Sequence, residues 1–134
     1  MRRAVLALTL ALTACSTVPP TPPGVTPVEV TASYREFMTL YPYYRLTVRL
    51  EDVSRADAPA VVLAESSELL AGRRPPYKVW LDVPDDRVDP RYTYAVRADI
   101  HDEHGKLLFT TDTRHPVLTN GSGNTADVVM IHVR

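Results

Sequence analysis

The chain has 134 residues and carries 15 Lys and Arg against 16 Asp and Glu, a formal net charge of −1. It has room for one domain and lacks the basic excess that nucleic-acid binding requires. Its 45% hydrophobic and 7% aromatic content suits a globular chain rather than a disordered one, and the single cysteine, Cys15, excludes an intramolecular disulfide.

The first residues form an address. Met1-Arg2-Arg3 is basic, Ala4 to Ala11 is apolar, and Leu12-Thr13-Ala14-Cys15 follows directly, which are the three zones of a secretory signal. The apolar run is too short to span a bilayer, since a spanning helix needs roughly 20 apolar residues. Leu-Thr-Ala-Cys resembles the bacterial lipobox, in which the cysteine thiol accepts a diacylglyceryl group and cleavage frees its amine for a further acyl chain. The Ala-x-Ala pattern of ordinary cleavage is missing just upstream of Cys15. Residues 1–14 are therefore expected to be a signal peptide and Cys15 the lipid attachment site. Several acyl chains, at about 0.8 kcal/mol per buried methylene, hold a protein on a membrane far more firmly than one chain does. Removal of the signal takes Arg2 and Arg3 with it and leaves a mature charge of −3. The residue after the cysteine is Ser16, where lipoproteins retained on the inner membrane carry Asp under the sorting rule this region resembles. The expected location is the cell envelope, with the outer membrane favoured over the inner.

Ser16 to Pro27 carries prolines at 19, 20, 22, 23 and 27 and has no apolar periodicity, so residues 15–27 are expected to be a tether. At about 3.1 Å per residue, such a chain spans on the order of 35 Å.

From Val28 to Arg134 the prolines punctuate apolar runs. The runs predict strands over Val28–Phe37, Tyr44–Asp52, Ala60–Ser66, Tyr77–Val83, Tyr92–His101, Lys106–Thr111 and Ala126–Val133. In the second, Tyr44, Leu46, Val48 and Leu50 alternate against Arg45, Thr47, Arg49 and Glu51, and the fifth repeats the pattern from Tyr92 to His101. Between Pro59 and Gly72 the local rules favour a helix, with Ala, Leu and Glu in abundance and a glycine stop. The surrounding spacing argues for a strand, because propensity is the weaker signal. His101-Asp-Glu-His-Gly105 and Asn120-Gly-Ser-Gly-Asn124 supply turn chemistry. The expected fold is all-β, a two-layer antiparallel β-sandwich of about seven short strands.

Four segments carry a resemblance. Leu50-Glu-Asp-Val-Ser-Arg-Ala-Asp-Ala-Pro59, Arg87-Val-Asp-Pro-Arg-Tyr-Thr-Tyr-Ala-Val-Arg-Ala98, Gly105-Lys-Leu-Leu-Phe-Thr-Thr-Asp-Thr113 and Pro116-Val-Leu-Thr119 resemble, in this order, the YbaY/YscW family of bacterial envelope lipoproteins. That family includes type III secretion pilotins, small lipoproteins that escort a secretin. The resemblance covers the whole domain and implies a lipobox and a β-sandwich. In the first segment, Asp52, Ser54 and Asp57 are expected to accept backbone donors in a turn that Pro59 closes.

No catalytic residues, metal site or cofactor are expected. His101 and His104 lie at a hairpin tip without a third ligand at a recognisable spacing. Asp85, Asp86 and Asp89 lack the EF-hand pattern, and no Gly-x-Ser-x-Gly elbow is present. The expected function is that of a noncatalytic protein-binding module, pilotin-like or chaperone-like, attached to the membrane through lipid on Cys15 and acting on an envelope protein. The alternative is a binder of a small ligand or glycan. Trp80 falls on the outward side of its strand with Lys78 and Asp82, and Tyr43, Arg45 and Arg49 form a second outward set. These four are the candidate partner-binding residues, since tryptophan, tyrosine and arginine dominate interface hot spots. Cys15→Ser is expected to release the protein from membranes, or to leave an uncleaved precursor, without unfolding the domain. Intact-mass analysis of the mature protein from its native host checks this, and an unmodified Cys15 would refute it.

Overall fold

The computed structural model describes residues 20–134, so the signal segment, Cys15 and the first residues of the tether lie outside the described part of the chain. Eight strands follow: β1 Val25–Tyr34, β2 Arg45–Asp52, β3 Val61–Leu69, β4 Tyr77–Pro84, β5 Tyr94–His101, β6 Leu107–Thr111, β7 His115–Val117 and β8 Thr125–His132. They form one sheet in the order β3-β2-β5-β6-β8-β1-β4, with β7 paired to β5. Every ladder is antiparallel except β1 with β8. The sheet curls until β3 and β4 approach each other, so the two layers expected of a sandwich are opposite walls of one nearly closed, barrel-like sheet.

Strict alternation is what lets the sheet close on an apolar interior. Leu46, Val48 and Leu50 of β2, Tyr94 and Val96 of β5 and Phe109 of β6, the side chains that alternation assigns inward, are all buried. Val28, Val30 and Ala32 of β1 join them, as do Val79, Leu81 and Val83 of β4 and Val128 and Met130 of β8. The disputed stretch after Pro59 is strand β3, which runs to Leu69. Its positions opposite Leu50, Val48 and Leu46 are Ala64, Ser66 and Glu68, all half-buried.

Among the described residues, three prolines lie in strands: Pro84 ends β4 opposite Val25, Pro116 sits inside β7, and Pro27, expected in the tether, sits inside β1. β1 begins at Val25, so Pro27 lies within it opposite Asp82. The neighbouring Glu29 N–H donates towards β8, to Asn124 O at 2.9 Å, and backbone N–H groups two residues apart in a strand point to the same neighbour. The missing Pro27 N–H therefore faces the β8 side, where pairing begins only at Glu29 with Thr125. Pro116 lies within the short β7 opposite Ala95. β6 and β7 pair in succession along the same edge of β5, as one strand interrupted by exposed Asp112–Arg114.

Arginines cover the ends of β3. Arg87, on the 3-10 turn Asp85–Arg87, donates to the carbonyls of Val62 at 3.1 Å and Leu63 at 3.3 Å. Arg73 donates to Leu70 O at 3.2 Å and Leu69 O at 3.3 Å. Such coverage blunts an edge that would otherwise pair with another chain.

One charge sits deep on the outer surface. Asp99 is 3% exposed, accepts from Arg49 and from the Thr110 hydroxyl, and has Arg97 Nε at 3.6 Å. Arg49 also lies 3.6 Å from Glu51. A carboxylate so removed from water needs this pairing, because stranding it costs several kcal/mol.

Val48→Ala or Leu50→Ala is expected to cost about 2–4 kcal/mol, while outward Thr47→Ala, which loses a contact to the Ser67 hydroxyl at 3.2 Å, costs well below that. Equal urea midpoints at both kinds of position would show the register to be wrong. Arg49→Ala is expected to cost roughly 1–3 kcal/mol by removing the closest cation from Asp99, which keeps Thr110 and the more distant Arg97, with Arg45→Ala close to neutral. Denaturant titration of the two variants separates them.

Candidate functional site

β1 divides the molecule into two ends. The chain enters it through a turn at Pro23–Gly24, where Gly24 takes a φ of +79° that glycine adopts without steric cost, and leaves it at Tyr34 into a loop that reaches β2 at Arg45. The ten residues of β1 rise about 33 Å. The tether and the β1–β2 loop are therefore held at opposite ends of the barrel.

At the loop end, Arg35 to Tyr44 has no regular structure and holds its shape by local bonds. Met38 N–H donates to Glu36 O at 3.0 Å and Tyr44 N–H to Tyr41 O at 3.1 Å. Its base is fastened to the turn after β3, through Leu70 N–H to Tyr44 O and Ala71 N–H to Pro42 O, both at 2.8 Å. Beyond these bonds the loop and the Gly72–Pro75 turn stand apart and leave a cleft of about 710 Å3.

The apolar part of the cleft comes from Tyr34, Phe37, Met38, Leu40, Tyr41 and Pro42. Phe37 is fully exposed, and Met38, Tyr41 and Tyr43 are 42%, 54% and 47% exposed. Tyr41 and Tyr43 stack at 5.3 Å with 4° between their planes, and Tyr44 meets both edge-on at 5.4 Å. Tyr34 forms the inner wall, with its ring 4.6 Å from Phe109 and 6.5 Å from Tyr77, so the cleft lies directly against the core. Burial pushes the Tyr77 phenol above its usual range, and the Arg73 guanidinium lies 5.9 Å from its ring.

The polar part is mainly basic: Arg35, Arg73 and Arg74 against Glu36. The Glu36 carboxylate accepts the backbone N–H groups of Arg35 at 3.2 Å and His132 at 3.3 Å. Backbone N–H groups, its own first and then those of His132 and Arg35, hold its carboxyl below the usual range. Glu36 thereby fastens the start of the loop to the end of β8.

The four candidate partner-binding residues do not form one surface. Tyr43 joins the tyrosine stack beside the cleft, and Arg45 follows it, donating to the Ser67 hydroxyl at 3.4 Å. Arg49 is tied into the Asp99 network. Trp80 points outward from β4 and is 41% exposed, opposite Glu29 of β1 and beside Lys78, which pairs with Glu29 at 3.0 Å. The nearly closed sheet brings β4 against β3, so Trp80 projects from a strand separated from β2 by β3. The first strand ends at Tyr34, so Arg35–Phe37, expected to continue it, belong to the β1–β2 loop, whose signal was six large apolar residues within Phe37–Tyr44 without strand alternation.

A second cleft, about 500 Å3, lies at the tether end and includes Asp52, Ser54, Arg55, Pro59 and Tyr92. Asp52 accepts Ser54 N–H at 2.9 Å and its hydroxyl at 2.6 Å, and Ser54 Oγ accepts Thr93 N–H at 2.9 Å. These two residues therefore shape the turn, while Asp57 has no side-chain hydrogen bond among the described residues. Acidic groups beside the histidine pair and in the Asp85–Asp89 stretch also serve backbone and local structure. Asp102 accepts the N–H groups of His104 and Lys106, each at 2.9 Å, Asp85 accepts the Thr26 hydroxyl at 2.6 Å, and Arg91 draws the Asp89 carboxyl down to about 2.

Comparison with known proteins places this geometry. Over 107 residues the chain is 36% identical to the uncharacterized lipoprotein YbaY of Escherichia coli (strain K12), covering 80% of this chain and 55% of that protein, so it spans about half the length of that relative. It is similar to the solved structure of an alternative pilotin from the type II secretion system of Vibrio cholerae, with a TM-score of 0.74 and 30% identity over 81% of this chain and 99% of that one. Residues 24–130 match the model of the family described as type III secretion system lipoprotein chaperone (YscW). The chain belongs to this YscW family of lipoprotein chaperones.

Proposed function

We propose that the chain is a noncatalytic, lipid-anchored chaperone of the bacterial envelope that holds an apolar segment of a partner protein in the cleft between the β1–β2 loop and the Gly72–Pro75 turn, in the manner of a pilotin. The observation that carries this reading is the exposure of Phe37, Met38, Tyr41 and Tyr43 around that cleft. A domain of this size has no structural need for four large apolar side chains on one irregular loop, and such contiguous exposure marks an interaction site. Lipid on Cys15 anchors the tether end, and Ser16 in the sorting position favours the outer membrane. The cleft then faces away from the anchor, about 33 Å along β1. Membership in a chaperone family and likeness to a pilotin support a protein rather than a sugar as the occupant. The cleft at the tether end suits a glycan poorly, because Tyr92 is its one aromatic platform and Asp52 and Ser54 already satisfy each other. Trp80 is a second, outlying contact for the same partner.

A photo-crosslinking residue at Met38, used in the native envelope and read by mass spectrometry, is expected to trap one dominant envelope protein. Phe37→Ser is expected to abolish that product, and Trp80→Ala to reduce it with the thermal midpoint nearly unchanged. Capture indifferent to Phe37→Ser would remove the cleft from the proposal. A large loss of stability in Trp80→Ala with capture intact would place Trp80 in the structure of the barrel instead.

A further inference from the structure

We infer that the segment received by the cleft is acidic as well as apolar, with Asp or Glu placed to meet Arg35 and Arg74. This rests on the cleft being the partner site. Three guanidinium groups line it against one carboxylate, in a chain whose overall charge is −1. The carboxylate is occupied, because Glu36 accepts the backbone donors of Arg35 and His132. Arg73 is occupied as well: it lies 2.9 Å from Glu68, donates to Leu69 and Leu70 carbonyls and rests near the Tyr77 ring.

Arg35 and Arg74 differ from it. Both are exposed, and neither side chain has a hydrogen-bond or ion-pair partner among the described residues. They flank an apolar floor on two sides, one from the β1–β2 loop and one from the opposing turn. A segment that buries aliphatic side chains between them desolvates this rim, and a carboxylate there takes paired donors from a guanidinium fork. A lysine in the same place meets an uncompensated like charge, which selects against basic segments. The concave shape between two loops favours a peptide over a lipid surface. So does the position of the tether, which places any anchor at the other end of β1.

The test pans a random twelve-residue peptide display library on the mature chain from residue 15, carrying Cys15→Ser. Enriched peptides are expected to combine apolar residues with an excess of Asp and Glu over Lys and Arg of at least threefold. A synthetic copy of the best binder, followed by fluorescence polarisation, is expected to lose at least tenfold in affinity with the Arg35→Glu, Arg74→Glu double variant. Replacing its acidic residues with Lys is expected to recover binding to that variant, and added salt to weaken the original pair. Binders that need Phe37 but carry no acidic excess would overturn the charge inference and leave the cleft reading standing. A library that yields no binder, or binders indifferent to Phe37→Ser, would overturn both. Flotation of the same Cys15→Ser chain with phosphatidylglycerol vesicles, lost in Phe37→Ser and in Arg74→Gln, would make lipid the occupant and overturn the peptide assignment.

Discussion

Everything in the molecule depends on how β1 is held. Val28, Val30 and Ala32 have no solvent exposure, and the strand is paired on one side to β4 and on the other to β8. The parallel ladder with β8 joins the first strand to the last, so the sheet closes only when the whole domain has been assembled. Long-range pairing of this kind is slow to form, because the loop-closure cost comes before the contacts that offset it. Its return is a rigid axis, with the tether entering at Val25 and the β1–β2 loop leaving at Tyr34. The separation of anchor and cleft is a direct consequence of that one strand.

The barrel tolerates polar groups in its walls by satisfying them locally. Asp99 would be an expensive carboxylate on a bare sheet, and Arg49, Arg97 and Thr110 convert it into a tie between β2, β5 and β6. At the seam, Arg87 and Arg73 occupy carbonyls near the two ends of β3. Arginine suits both tasks, since its planar fork offers several donors without losing its charge. The same residue type then does something different at the cleft, where Arg35 and Arg74 have no such partners among the described residues. Context separates structural from available arginines, and the residue type alone does not.

That distinction explains how far the amino-acid sequence could be read. Alternation in Tyr44–Leu50 and Tyr94–Ile100 was legible because the inward side chains of each strand are apolar and the outward ones mostly polar, although Ala95 and Asp99 on the outer face of β5 are buried as well and Tyr92 lies exposed before the strand. β3 was ambiguous because the positions opposite Leu50, Val48 and Leu46 are Ala64, Ser66 and Glu68, and its one core residue, Leu63, sits at the irregularity in the ladder, so it offers no apolar stripe of either period. β7 was invisible, being three residues long with Pro116 in the middle, and the start of β1 was masked by Pro27. The outward direction of Trp80 was legible, but not its place across β3 from Tyr43, Arg45 and Arg49, since that depends on how the sheet closes. Arg49 looked free because its partner Asp99 lies fifty residues away in sequence.

The placement of the cleft on irregular loops follows from the same rule that builds the sheet. A strand whose outer face is apolar loses the contrast that specifies its register, because a slip by one residue then costs little. An outer wall made continuously apolar would therefore weaken the pairing on which closure depends, whereas scattered residues such as Trp80 and Ile131 do not. Phe37, Met38, Tyr41 and Tyr43 avoid this conflict by standing between strands, where they have no ladder partner to mislead. The loop still needs a fixed shape, and it obtains one from polar fastenings rather than burial: Pro42 and Tyr44 carbonyls to the turn after β3 and the Glu36 carboxylate to the end of β8. Fastened at its base, the loop keeps its apolar side chains exposed at fixed positions, and a partner that binds them meets a surface whose ordering entropy has already been lost in folding.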